Sequence, residues 1–492
     1  MSQITLSNLT FCYDGSYDNI FENVSLSLDT DWKLGFIGRN GRGKTTFLHL
    51  LTGKYEYSGS ISAGVNFEYF PFEIDNPERS TIDVVTSICP NREEWEIFRE
   101  LSMLDIGDDC LYRPFNTLSG GEITRALLAG MFLKENCFFL IDEPTNHLDT
   151  EARALLAEYL KKKKGFILVS HDRFFLDAII DHVLSINKAD IELQSGNYSQ
   201  WDQNRIQREN FEQRENERLS QEISHLTEAA RRTSSWSDKV EKSKYGGDNS
   251  GVKIDRGYVG AKAAKMMKRS KVTEARRQKA ADEKRGLLKN VEKPDTINLT
   301  PLVFPQRYLM NVENLTLSYG DRTLFSGLRF DLLQGDRVSI RGRNGSGKTS
   351  LLKVLSGENN DYTGKVQRGS NLVISTVPQD TDFLGGSLVE LAESHGVDST
   401  LYRGMLFKLG LPRLQFEKDL SDFSGGQKKK ALLALSLCQK AHVYIWDEPL
   451  NFIDILSRKQ LEDAILACNP TMIFVEHDRA FTHTIATKFI DL

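Results

Sequence analysis

The stretch Gly38-Arg39-Asn40-Gly41-Arg42-Gly43-Lys44-Thr45 returns about 305 residues later as Gly342-Arg343-Asn344-Gly345-Ser346-Gly347-Lys348-Thr349. Each copy follows a short apolar run, Leu34 to Ile37 and Val338 to Ile340, that reads as a strand. Glycines at these places let the backbone turn tightly enough for successive N–H groups to point at phosphate oxygens, while the lysine adds a point charge. Lys44 and Lys348 are therefore read as β/γ-phosphate ligands. Gly38, Asn40, Gly41 and Gly43, like Gly342, Asn344, Gly345 and Gly347, form the cradle, and Thr45 and Thr349 offer hydroxyls to Mg²⁺. Thr46 and Ser350 complete the two loops, and the following helix, beginning near Phe47 or Ser350, turns its positive end to the phosphates.

The rest of the pattern repeats in the same order. Leu118-Ser119-Gly120-Gly121-Glu122 matches Phe423-Ser424-Gly425-Gly426-Gln427, and Phe138 to Asp142-Glu143 matches Val443 to Asp447-Glu448. Each apolar run ending in two carboxylates reads as a buried parallel strand that emerges at its carboxyl edge. Asp142 and Asp447 can hold the metal, and Glu143 and Glu448 can polarise an attacking water, since phosphoryl transfer needs mainly positioning and charge neutralisation. His171 and His477 each follow another apolar strand and precede Asp-Arg, which suits contact with a γ-phosphate. A repeat this regular reports duplication of a whole domain. The expected fold is α/β: two tandem P-loop domains, 1–196 and 305–492, joined by a helical segment, 197–304.

Composition narrows the class. The chain of 492 residues suffices for two domains and a connector. No apolar run approaches the roughly 18 residues that span a bilayer, and the start lacks the basic and apolar regions of a secretory signal. The six cysteines form no CxxC pair, so they read as reduced and structural in a cytoplasmic protein.

Charge is localised. Residues 205–293 hold 23 Lys or Arg against 14 Asp or Glu, a net +9 within a chain of net −5. This stretch has almost no proline and reads as two long helices, from about Ser199 to Ser243 and from about Val259 to Val291, hinged at the Gly246-Gly247-Asp248-Asn249-Ser250-Gly251 tip. Lys262, Lys265, Arg269 and Arg276 share one helical stripe. A solvated spacer is the bland reading. A basic segment on an acidic protein is better explained by a polyanion, and Met266-Met267 with the glycine tip adds the adaptable surface that folded RNA requires.

These residues carry a resemblance. The phosphate loop (Walker A), the Ser-Gly-Gly signature, the carboxylate-ended strand (Walker B) and the switch histidine resemble ATP-binding cassette domains, in both halves. The resemblance implies ATP as ligand, with Mg²⁺, and two cassettes of one monomer closing face to face. Lys44, Asp142, Glu143 and His171 would then work with Ser424, Gly425 and Gly426, and Lys348, Asp447, Glu448 and His477 with Ser119, Gly120 and Gly121. Tyr13 and Tyr319 would stack on adenine or serve as core. Gln379, in Val377-Pro378-Gln379, stands where the family's metal-side glutamine does, whereas the parallel Phe70-Pro71-Phe72 has phenylalanine. The second copy's Pro449-Leu450-Asn451-Phe452-Ile453-Asp454 also departs from Pro144-Thr145-Asn146-His147-Leu148-Asp149, so the two sites are expected to hydrolyse at unequal rates.

Two such cassettes joined by a basic helical hairpin resemble the ABC-F family of ribosome-associated ATPases, and within it the antibiotic-resistance branch, most of all its Lsa-type members. The resemblance implies a hairpin that enters the tRNA exit site of a bacterial ribosome and meets large-subunit rRNA and P-site tRNA. Lys244, Tyr245, Lys253, Arg256, Tyr258, Lys262, Lys265, Lys268 and Arg269 are the expected contacts. The function implied is protection from lincosamides, pleuromutilins and streptogramin A, with no membrane or DNA partner. A general translation factor, the motor subunit of a membrane transporter and a DNA-processing ATPase are the rival expectations.

Overall fold

The strands Cys137–Asp142 and Val443–Asp447 are apolar and buried along nearly their whole length, and successive side chains leave on opposite faces. Phe139 and Ile141 enter a core made with helices, while Phe138 and Leu140 enter a second core under an antiparallel sheet. Tyr444 and Trp446, against Val443 and Ile445, divide in the same way in the other half. Each cassette is thus a central sheet with a core on either face, the arrangement that a continuous apolar strand demands. The Trp446 indole N–H, buried with its ring, donates to Ser436 Oγ at 2.8 Å.

This computed structural model describes residues 2–492 except 14–18, 147, 188–189, 243–264, 266–267, 269–271, 273–275, 277–278, 280–296, 321, 344 and 360. Lys244, Tyr245, Lys253, Arg256, Tyr258, Lys262 and Arg269 lie outside the described residues, as do the glycine tip, Met266-Met267 and Asn344. The chain divides into two compact units, Met1–Trp201 with Asp295–Leu492, and Asp202–Pro294.

Within the first unit the duplication is visible strand by strand. One central sheet has the order Asn66–Phe70, Cys137–Asp142, Phe166–Val169, Lys33–Ile37, His182–Asn187, Asp190–Ser195, parallel except for the last strand. The other runs Ile374–Val377, Val443–Asp447, Met472–Val475, Arg337–Arg341, Lys488–Asp491, parallel throughout. Antiparallel sheets of Gln3–Phe11, Phe21–Asp29 and Ser58–Ser62, and of Tyr308–Tyr319, Arg322–Leu333 and Thr363–Arg368, cover one face of each. Tyr198 and Trp201 bury themselves in the first cassette's core, and Ile297 and Leu299 in the second's.

The second unit contains most of the helix Tyr198–Lys242, one residue offset from its expected span. It is laced by ion pairs one turn apart, Arg205 with Glu209 at 2.6 Å and Arg218 with Glu222 at 3.2 Å. Lys265, Lys268, Val272, Arg276 and Lys279 are helical and exposed, at spacings that put them on one stripe. Among the described residues no helix is long and apolar enough to cross a membrane, and all six cysteines are free.

Candidate functional site

Parallel strands bring the chemistry to one edge of each sheet. Asp142 pairs with Val169 in register and Asp447 with Val475, so each carboxylate-ended strand lies beside the strand that leads to a switch histidine. The next residues, Glu143 and Glu448, take left-handed conformations (φ 51° and 48°), held by N–H bonds to Val169 O and Val475 O, each 2.9 Å. Such backbone strain in a non-glycine residue persists where the surroundings fix it, as at reactive sites.

Gly43 and Gly347 sit at φ 92° and 96° and cap the helices Lys44–Leu51 and Lys348–Ser356. The helices therefore begin earlier than the expected Phe47 or Ser350, because a left-handed glycine lets the chain turn straight from loop into helix. Lys44 Nζ donates to the carbonyls of Gly38 (2.7 Å) and Arg39 (3.3 Å), and Lys348 Nζ to those of Gly342 and Arg343 (2.9 Å each). Both ammonium groups stand at the centre of their loops, and burial lowers the pKa of each.

On the metal side the sites differ. Thr45 Oγ1 donates to Asp142 Oδ2 at 2.7 Å, whereas Thr349 Oγ1 donates to Gln379 Oε1 at 3.1 Å. Both carboxylate oxygens of Asp447 are buried and lack a well-aligned hydrogen bond, although the Thr349 hydroxyl is near enough to stabilise the charge. A buried carboxylate of this kind beside a threonine hydroxyl and an amide oxygen is a donor set for a hard divalent cation, so the residues present fit Mg²⁺. Burial raises the pKa of Asp142 and Asp447 alike.

The glutamates also differ. Burial and the neighbouring Asp142 push Glu143 up to about 8. Burial would raise Glu448 too, but His477, with Nε2 3.6 Å from Oε1, and Asn451, whose amide donates to Oε2 at 2.8 Å, bring it down to about 2. His171 Nε2 lies 3.2 Å from Glu143 Oε1 without the alignment of a hydrogen bond. Burial, followed by the charges of Lys44, Arg458 and Lys430, lowers the pKa of the His171 ring well below its ordinary value.

Two of those charges come from the other cassette. The Asn40 amide donates to Phe452 O at 2.6 Å, and the Asn40 N–H to Asp454 Oδ2 at 3.3 Å. Arg458 donates to His171 O at 2.8 Å, and Arg173 pairs with Glu462. At the second site Glu151 reaches Arg343 at 3.2 Å, an exposed pair of little energetic weight. A cavity of about 380 Å³ gathers Tyr13, Asn40, Lys44, Thr45, Glu143 and His171 together with Phe452. A larger one, about 620 Å³, gathers Gly342, Lys348 and His477 with Asp149, Thr150 and Glu151. Each cavity thus draws on both cassettes.

The signature residues Ser119, Gly120 and Gly121, and Ser424, Gly425 and Gly426, line neither cavity. Ser119 and Ser424 cap their helices, accepting from Glu122 N and Gln427 N. The Phe452 ring packs so closely on Gly426 that a methyl there would meet Cγ at 2.8 Å. Tyr13 bonds Thr46 Oγ1 through its hydroxyl (2.7 Å), while Tyr319 is 82% exposed and lines neither cavity.

Sequence reading passed over Lys429, because Lys428-Lys429-Lys430 looks like a solvated run. Lys429 is buried, and Nζ donates to Pro378 O at 2.7 Å and Asp447 O at 2.6 Å, tying Gln379's loop to the catalytic strand. In the first cassette Thr124 takes this place and bonds only within its own helix, to Gly120 O. Lys429→Met is expected to leave two carbonyls unpaired, at about 1–3 kcal/mol each. Second-site turnover, measured in Glu143→Gln protein, should fall by about tenfold, equivalent to about 1.4 kcal/mol in the barrier.

Comparison with known proteins identifies the family of the two cassettes. The family model described as ABC transporter matches twice, at residues 21–146 and 325–451. The ribosome protection protein VmlR of Bacillus subtilis is 28% identical over 97% of this chain and 84% of its own length. The energy-dependent translational throttle protein EttA of Haemophilus influenzae is 27% identical over 96% and 89%. Among solved structures, the archaeal ribosome recycling factor aABCE1, in complex with ribosomal stalk protein aP1, shares the fold at TM-score 0.65 and 19% identity, over 98% of this chain and 87% of that one. With both cassettes matched over half of its length, the chain belongs to the ABC transporter family, as a tandem-cassette ATPase.

Proposed function

We propose that this ATPase binds bacterial ribosomes in the cytoplasm and protects them from drugs acting at the peptidyl-transferase centre. The observation that carries the reading is the match, across nearly the whole chain, to a ribosome protection protein, joined to a connecting stretch, residues 205–293, of net charge +9. Resemblance to Lsa-type proteins adds the drug classes: lincosamides, pleuromutilins and streptogramin A. ATP with Mg²⁺ at both sites holds the cassettes together, each nucleotide between the Walker residues of one and the signature of the other. The linker tip, Lys244 to Tyr258, enters by the tRNA exit site and shifts tRNA or rRNA so that the drug leaves. Binding supplies the work, and hydrolysis through Glu143 and Glu448 supplies the reset.

The likeness to a translational throttle protein, at nearly equal identity, favours a second reading, a general translation factor. Drug susceptibility of bacteria expressing the chain separates the two. A raised inhibitory concentration, lost when residues 244–258 are replaced by a short glycine loop, supports protection. Unchanged susceptibility with ATP-dependent ribosome binding supports the translation factor. Ribosome affinity should fall steeply with salt, because each neutralised phosphate contact adds to the slope; a flat salt response would remove the polyanion argument.

A further inference from the structure

The two sites solve the metal-side problem with different residues. In the second, Gln379 receives the Thr349 hydroxyl at 3.1 Å and Asp447 makes no well-aligned hydrogen bond. In the first, Phe72 holds the equivalent place and packs against the hydrophobic core. Three residues earlier, at the place Thr376 takes in the second cassette, Tyr69 extends its hydroxyl to Asp142 Oδ2 at 3.2 Å, the oxygen that also accepts from Thr45 at 2.7 Å. The Tyr69 ring is fixed by His49, at 4.7 Å between centroids, on the helix that starts with Lys44.

We propose that Tyr69 is the metal-side positioning residue of the first site, doing through Asp142 what Gln379 does in the second. Two hydroxyls on one oxygen fix the carboxylate plane and leave its other oxygen for the metal or a water bound to it. Orientation of a metal-ligating carboxylate by such partners typically changes metal affinity by about 10–100-fold. Tyr69 has the reach because a phenol is long, and Thr376 does not, so Tyr69 supplies from the same strand and turn a polar contact that Phe72 cannot make.

The proposal rests on the Mg²⁺ reading of both sites, and one experiment separates the two. Mn²⁺ binding to the full chain is followed by electron paramagnetic resonance with a non-hydrolysable ATP analogue. The parent should bind two ions, and Tyr69→Phe should weaken one of them by about tenfold and leave the other as it was. In Glu448→Gln protein, where only the first site turns over, the same change should raise the Mg²⁺ concentration for half-maximal rate while sparing the rate at saturating Mg²⁺. Adding Phe72→Gln should restore binding, which repair of a merely structural defect would not do. Two unaltered manganese ions in Tyr69→Phe protein would overturn the proposal. Absence of bound manganese from the parent would overturn the metal reading itself, and the proposal with it.

Discussion

Replacing Glu143 and Glu448 together by glutamine is expected to lower ATP turnover by about 10²–10⁴-fold, the usual worth of a positioned general base, while ATP binding survives. Both side chains sit directly after a metal-side aspartate on strained turns held by a bond to the neighbouring strand. Glutamine keeps the shape and loses only the proton acceptor. The single variants should differ: Glu448, brought to about 2 by His477 and Asn451 against its burial, has a different setting from Glu143, so Glu143→Gln and Glu448→Gln should leave unequal residual rates. Equal residual rates would show that the asymmetry has no kinetic weight. Sedimentation with purified ribosomes extends the test to function. The double variant should pellet with ribosomes in ATP and stay there; rapid release in ATP would sink the proposed cycle, since hydrolysis would not be the reset.

Arg458→Ala should be the most damaging single change outside the phosphate loops. The buried guanidinium donates to Ile453 O and Leu450 O, each at 2.9 Å, pairs with Asp478 at 2.9 Å, and reaches across to His171 O at 2.8 Å. Removing one partner of a buried pair leaves the other uncompensated, at about 3–5 kcal/mol. The second cassette should melt earlier in calorimetry, and first-site hydrolysis, read in Glu448→Gln protein, should fall because His171 loses its anchor. The sign with pH follows from Asp478. Burial would raise its pKa, but Arg458 and Arg173 hold it below the ordinary 3.8. Its contribution is therefore complete above the ordinary value and is lost as pH falls through the lowered one. Without Arg458 the acid limb of the stability curve should move to higher pH; an unmoved limb would show that Arg173 alone holds the carboxylate.

The fold was legible because its determinants are local and duplicated: a glycine loop, an apolar strand with two carboxylates and a histidine, each written twice. Lys44, Glu143, His171 and their counterparts could be placed from spacing alone, since adjacent parallel strands deliver them to one edge. What could not be read depends on pairing in space. Tyr69 looks like any strand aromatic until its hydroxyl is seen on Asp142. Lys429 sits in a run that composition assigns to solvent, and Arg458 lies on a helix with no motif at all. Phe452 departs from the first copy's motif in the sequence, but its carbonyl on Asn40 and its ring on Gly426 follow only from how the two cassettes meet.

The rooting of the linker has a mechanical corollary. Tyr198 and Trp201 are set in the first cassette's core, and the chain returns through Ile297 and Leu299 in the second's. The helix that leaves the first root is 45 residues long, about 68 Å at 1.5 Å per residue. Its reach is set by helix length, so removing whole turns should shorten that reach by about 5.4 Å for each turn.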